Sequence, residues 1–125
     1  MKIDIKQTYS LEEALSMARL VWSLIFSNDV VEKAESVFFQ EVLNKLGITE
    51  TRFSESLSTP LEDVYSLVRF MPAIKKQECA TILRLAVHSD GKVDLSELNG
   101  LNEILFQTEI FKSDKTKVPK HDVSF

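Results

Sequence analysis

The sequence predicts an all-α fold, a compact bundle of about six helices built from two pseudo-repeated helix, acidic loop, helix units. Three observations predict it. Apolar residues recur at three- and four-residue steps through several separate stretches. Only three glycines and three prolines occur in 125 residues, whereas all-β folds need many more turn residues at short spacing. Two long segments also align with each other at a fixed offset. With 44% hydrophobic and 27% charged residues, the chain has ordinary globular usage, and its length suits one domain with its own core.

Ser10 and Glu13 have the spacing of a capping box, so the first helix starts there. Leu11, Ala14, Leu15, Ala18, Val21, Trp22 and Ile25 mark its inner face, and Leu20, Leu24 and Phe26 make its second half apolar nearly all round. After a polar break at Ser27, Asn28 and Asp29, the residues Ala34, Val37, Phe38, Leu43 and Leu46 define a second amphipathic helix, which Gly47 can end in a left-handed cap. Phe53 and Leu57, four apart, place a short helix within 49–58. Thr59-Pro60-Leu61-Glu62 reads as the next start, with Thr59 as N-cap, Pro60 at the first helical position and Glu62 closing a capping box. Leu61, Val64, Tyr65 and Val68 form its inner face. Pro72 opens another helix, whose stripe of Cys79, Ile82, Leu83, Ala86 and Val87 runs to about His88. An Asp90-Gly91 turn follows. Asp94 and Glu97 then make a third capping box, opening a helix through Leu98, Leu101, Ile104 and Leu105 that fades near Phe111. The expected organisation is an irregular start over 1–9, the helical domain over 10–111, and a polar, flexible tail over 112–125 that contains Pro119.

Setting Glu35 on Glu97 gives an offset of 97 − 35 = 62 residues. Val31 then falls on Val93, Glu32 on Asp94 and Asn28 on Asp90. Val21 meets Leu83, Ile25 meets Val87, Phe39 meets Leu101, Val42 meets Ile104 and Leu43 meets Leu105. Neither unit can bury its face alone. A pseudo-two-fold packing is therefore expected to join the apolar faces into one core and to bring the two acidic loops close together.

Net charge −4 and a pI near 5.2 leave no basic surface for phosphates, so no nucleic acid partner is expected. Cys79 is the single cysteine, which excludes an internal disulfide. The start lacks the apolar run of a signal peptide, and the stretch Leu20 to Phe26 is too short to span a bilayer, so a cytoplasmic protein without membrane insertion is expected. Cys79 and His88 lie nine residues apart on one predicted helix, about 180° around it, and cannot pair as nucleophile and base. No Gly-rich phosphate loop, paired-cysteine zinc pattern or nucleophile elbow occurs. The expectation is a protein that is not an enzyme, with no catalytic and no organic cofactor-binding residues.

The acidic loops are the one place where a metal is conceivable. Gly91 and Glu97 have the spacing of positions six and twelve of a calcium-binding EF-hand, but the first and third positions are then Ala86 and His88, so hard oxygen ligands are missing. A shared site for a divalent cation would draw on Asp29, Glu32, Glu35, Asp90, Asp94 and Glu97. Against it stands a purely structural reading, in which Asp94 and Glu97 cap a helix and Asp90 serves its turn. Trp22, Phe26, Phe38, Phe39, Phe70 and Phe106 exceed what one inward stripe holds, since Phe38 and Phe39 are adjacent. They pack the core from two sides or form a patch for a protein partner or homo-oligomer.

Ala86-Val87-His88-Ser89-Asp90-Gly91-Lys92-Val93-Asp94-Leu95-Ser96-Glu97 resembles the repeated motif of the TerB-like domains. That all-helical family is named for bacterial tellurite resistance and is also found in a membrane-anchored J-domain co-chaperone. Ser27-Asn28-Asp29-Val30-Val31-Glu32-Lys33-Ala34-Glu35 is the first-half counterpart, followed by the Leu46-Gly47-Ile48 helix ending that is typical of the family. The first loop departs from the pattern by lacking the glycine and by carrying Asn28 where the second has Asp90. The resemblance covers roughly residues 11–111. It implies a bacterial, cytosolic, non-enzymatic domain connected with stress or metal-ion response, acting through protein contacts or a divalent cation.

Overall fold

A computed structural model describes residues 3–26, 32–89, 91 and 95–110. Among them are six helices and no strand: α1 Leu11–Ile25, α2 Lys33–Leu46, α3 Glu50–Ser56, α4 Leu61–Arg69, α5 Ala73–Val87 and α6 Leu95–Gln107. The all-α bundle of about six helices is the one that the periodicity predicts.

Most helix ends follow the predicted chemistry. The Ser10 hydroxyl accepts from the Glu13 N–H at 3.1 Å, and the Glu13 carboxylate accepts from the Ser10 N–H at 2.9 Å, closing the capping box of α1. Gly47 ends α2 at φ 73°, the left-handed conformation that glycine adopts without a Cβ clash. The Thr49 hydroxyl accepts from the Arg52 N–H and starts α3. At α4 the prediction is off by one residue. Pro60 itself is the N-cap, extended at φ −61° and ψ 144°, and its carbonyl accepts from the Asp63 and Val64 N–H groups. Thr59 makes no side-chain cap, and its carbonyl accepts from Arg19 instead. Gly91 has φ 78°, as a turn after α5 requires, while Asp90 and Asp94 lie outside the described residues.

Basic side chains close the C-terminal ends of helices, where carbonyls lack helical partners. The Lys76 ammonium is drawn inside because it donates to the carbonyl of Arg69, the last residue of α4. Arg69 in turn donates from Nε and Nη2 to the carbonyl of Gln107, the last residue of α6.

The internal repeat is visible in three dimensions. α1 and α5 both have 15 residues, offset by 73 − 11 = 62 at the start and 87 − 25 = 62 at the end. α2 and α6 start at the same offset, 95 − 33 = 62. Burial repeats as well. Every buried residue of α5, from Lys76 to Val87, has a buried counterpart 62 positions earlier in α1. Glu35, Phe39, Val42 and Leu43 of α2 match Glu97, Leu101, Ile104 and Leu105 of α6 in the same way. α1 packs on α5, α1 meets α2 as α5 meets α6, and the cross pairs α1 with α6 and α2 with α5 complete the pattern. Glu13 and Lys75 are equivalent residues, 75 − 13 = 62, and their side chains form an ion pair at 2.9 Å. A side chain can reach its own counterpart only near the axis that relates the halves, so this pair locates the pseudo-two-fold axis between α1 and α5.

Candidate functional site

The acidic candidates are only partly within the described residues. Asp29, Asp90 and Asp94 lie outside them, so the described structure does not bring the two loops together or hold them apart. Glu32 is exposed at the N-terminus of α2. Glu35 is 2% exposed, and its carboxylate accepts from the Glu32 N–H at 3.0 Å, the work of a helix cap. Glu97 is likewise 2% exposed in the first turn of α6, at the repeat-equivalent position. A carboxylate loses much hydration on burial and must be compensated. For Glu35 the cap bond and the positive end of the α2 dipole provide that compensation. Among the described residues, no three or more His, Cys, Asp or Glu side chains are grouped to hold a metal ion.

Cys79 is buried in the core, and burial pushes its thiol up to about 12. His88 is the exposed C-cap of α5. The two residues face opposite ways, as their nine-residue spacing predicts, and the thiol has neither the ionisation nor the access of a nucleophile.

Around the pseudo-two-fold axis lies a polar cluster that sequence reasoning missed. Lys75 bridges the repeats, its ammonium 2.9 Å from Glu13 and 5.4 Å from the centre of the Tyr9 ring. Glu78, one turn further along α5, accepts from the Lys6 N–H at 2.7 Å, the Gln7 N–H at 3.1 Å and the Tyr9 hydroxyl at 2.6 Å. Burial and the Glu78 carboxylate both push the Tyr9 phenol well above its ordinary range. Together with Ile3, which is fully buried, these bonds strap residues 3–9 across α5. Only one sequence signal pointed to the cluster: opposite charges at Glu13 and Lys75, at the repeat offset.

The aromatic residues divide. Phe38 and Phe39 both enter the core. Trp22 and Phe26 of α1 stack at 4.0 Å, and Trp22 meets Phe39 and Phe53 at 5.4 Å, tying α1, α2 and α3 together. Phe70 and Phe106 remain 82% and 71% exposed. On α6, Leu95 and Phe106 are separated by three turns, about 20° apart around the axis. Leu95 is 71% exposed, and Leu98 and Asn102 fall between them on the same exposed face. Phe70 and Phe106 adjoin the Arg69 to Gln107 bond that holds the ends of α4 and α6 together.

No family model matches the chain, and no curated protein matches it. Among solved structures it is similar to the crystal structure of PG1108, a protein of unknown function from Porphyromonas gingivalis W83. The TM-score is 0.69 and the identity 19%, over 89% of this chain and 97% of that one. At that identity the likeness carries the fold, an all-α helical bundle. No helix among the described residues is long and apolar enough to cross a membrane.

Proposed function

We propose that this chain is a non-enzymatic, TerB-like helical module that works by binding protein, through the exposed face of α6. One observation carries this reading. Leu95, Leu98 and Phe106 form an apolar stripe on a helix whose opposite face already fills the core, with Phe70 at the end of the neighbouring helix. Apolar side chains of this size in one row mark contact surfaces, and an amphipathic partner helix is the shape that a single helical stripe accepts. The partner is a second copy or another protein of the same stress-related setting that the resemblance implies. Sedimentation over a wide concentration range, together with capture on immobilised protein, tests the reading. Phe106→Asp is expected to remove whatever association the wild type shows. A wild type that binds neither itself nor another protein contradicts the reading.

A second reading is favoured by Glu35 and Glu97, two carboxylates buried at equivalent positions of the repeat. On this reading the acidic loops hold a divalent cation, drawing on Asp29, Glu32, Asp90 and Asp94 as well. Melting of chelator-treated protein with calcium, magnesium, manganese or zinc tests it. A saturable rise in Tm that Asp90→Asn with Glu97→Gln abolishes supports the cation, and an unchanged Tm rejects it.

A further inference from the structure

A cleft of about 310 Å³ opens between α1 and α4, at the lower end of the size range of small-molecule sites. Its walls include Leu15 and Leu67, and its polar residues are Glu12, Ser16, Arg19, Ser56, Thr59 and Asp63. Ser16 is 7% exposed, and its hydroxyl has no hydrogen-bond partner among the described residues. The repeat explains why. Its counterpart is Glu78, 78 − 16 = 62, which is saturated by the free N–H groups of the extended strap over α5. The element crossing α1 is instead the helix α4, whose N–H groups from Asp63 onward are taken by carbonyls of the helix and its cap, so none of these meets Ser16. Arg19 commits only Nη1, to the carbonyls of Ser56 at 2.6 Å and Thr59 at 2.9 Å. Its Nε and Nη2 donors have no partner among the described residues. The cleft therefore combines unused donors from a hydroxyl open to it and from a guanidinium, two exposed carboxylates, and leucine walls.

We propose that the cleft between α1 and α4 binds a free aliphatic α-amino acid, its carboxylate on Ser16 and Arg19, its ammonium on Glu12 and Asp63, and its side chain against Leu15 and Leu67. A fixed guanidinium suits a carboxylate, and the acid pair suits an ammonium a few atoms away. An anion alone or an amine alone would use only one half of the site. This inference is independent of the exposed face of α6, because α1 and α4 form the cleft without it.

The test is an amide-resolved magnetic resonance titration of the full chain with L-leucine to about 10 mM, with isovalerate and isoamylamine as single-charge controls. The expected result is saturable movement of the Ser16, Arg19 and Leu67 amides with L-leucine, and binding about tenfold weaker or worse for each control. Ser16→Ala removes a hydroxyl that bonds none of the described residues, so it keeps the fold while weakening L-leucine about fivefold. Asp63→Asn, at an exposed position, does the same from the ammonium side. Absence of saturable shifts overturns the proposal, as does equal binding of isoamylamine or of isovalerate. Unchanged L-leucine affinity in both variants also overturns it.

Discussion

Glu13 holds two jobs at once, capping α1 and pairing with Lys75 across the pseudo-two-fold axis. The Lys75 hydrogen bond and then the Ser10 N–H hold its carboxyl below the ordinary value of 4.5. A carboxylate lowered in the folded state adds stability above its unfolded value, and loses it as pH falls through the folded value. Glu13→Gln is therefore expected to lower Tm by about 3–6 °C at neutral pH, with the gap to wild type closing as pH falls below 4.5 and through the lowered folded value. Melting curves from pH 7 to pH 3 check this, and a gap independent of pH contradicts it. Cys79 supplies a second residue-scale prediction. Buried and raised to about 12, its thiol should react with iodoacetamide only when the fold opens. Labelling of native protein at pH 8 should be slower by orders of magnitude than in denaturant. The Ser10 box was legible in the sequence because both partners lie within one turn. Tyr9 and Glu78, 69 residues apart, were not, since only the tertiary path of the strap brings them together.

At the scale of elements, the six helices were legible from period and caps, although α6 ends at Gln107 rather than near Phe111, and the displaced start of α4 has a local cause. An N-cap keeps extended backbone while its carbonyl accepts the first helical bonds, and Pro60 does both, so Thr59 is left outside the helix. Gly47 shows the opposite case, where residue type alone announced the backbone. A Cβ there would meet nothing within 4 Å, so the cost of Gly47→Ala comes from the positive φ alone. The expected loss is about 1 kcal/mol, or roughly 3–5 °C in Tm, read by thermal melting. Which face of α6 turns inward was harder to read. Leu98 counted with Leu101, Ile104 and Leu105 as one stripe, yet it stands at the edge of the buried face, 37% exposed. A helix with apolar residues on both sides has a periodicity that does not separate core from contact surface.

For the whole molecule, the 62-residue offset was the most informative feature of the sequence, because it matched burial as well as helix boundaries. It was visible because apolar counterparts such as Val21 and Leu83 keep their character even where their identity changes. The candidate metal site was legible only as a list of carboxylates. Of these, Glu35 does the work of a cap in the structure, while Asp29, Asp90 and Asp94 fall outside the described residues. The cleft between α1 and α4 left almost no trace in sequence, since Ser16 and Arg19 read as polar interruptions of an apolar helix until α4 covers them.

On the proposed reading, the exposed stripe of α6 meets a second copy or another protein. Photo-crosslinking in living cells tests it most directly, with benzoylphenylalanine placed at Phe106 and, as a control, at the exposed residue Gln40 of α2. Discrete protein adducts are expected from position 106, either with a second copy or with one other chain, and none from position 40. Equal or absent adducts at the two positions would contradict it.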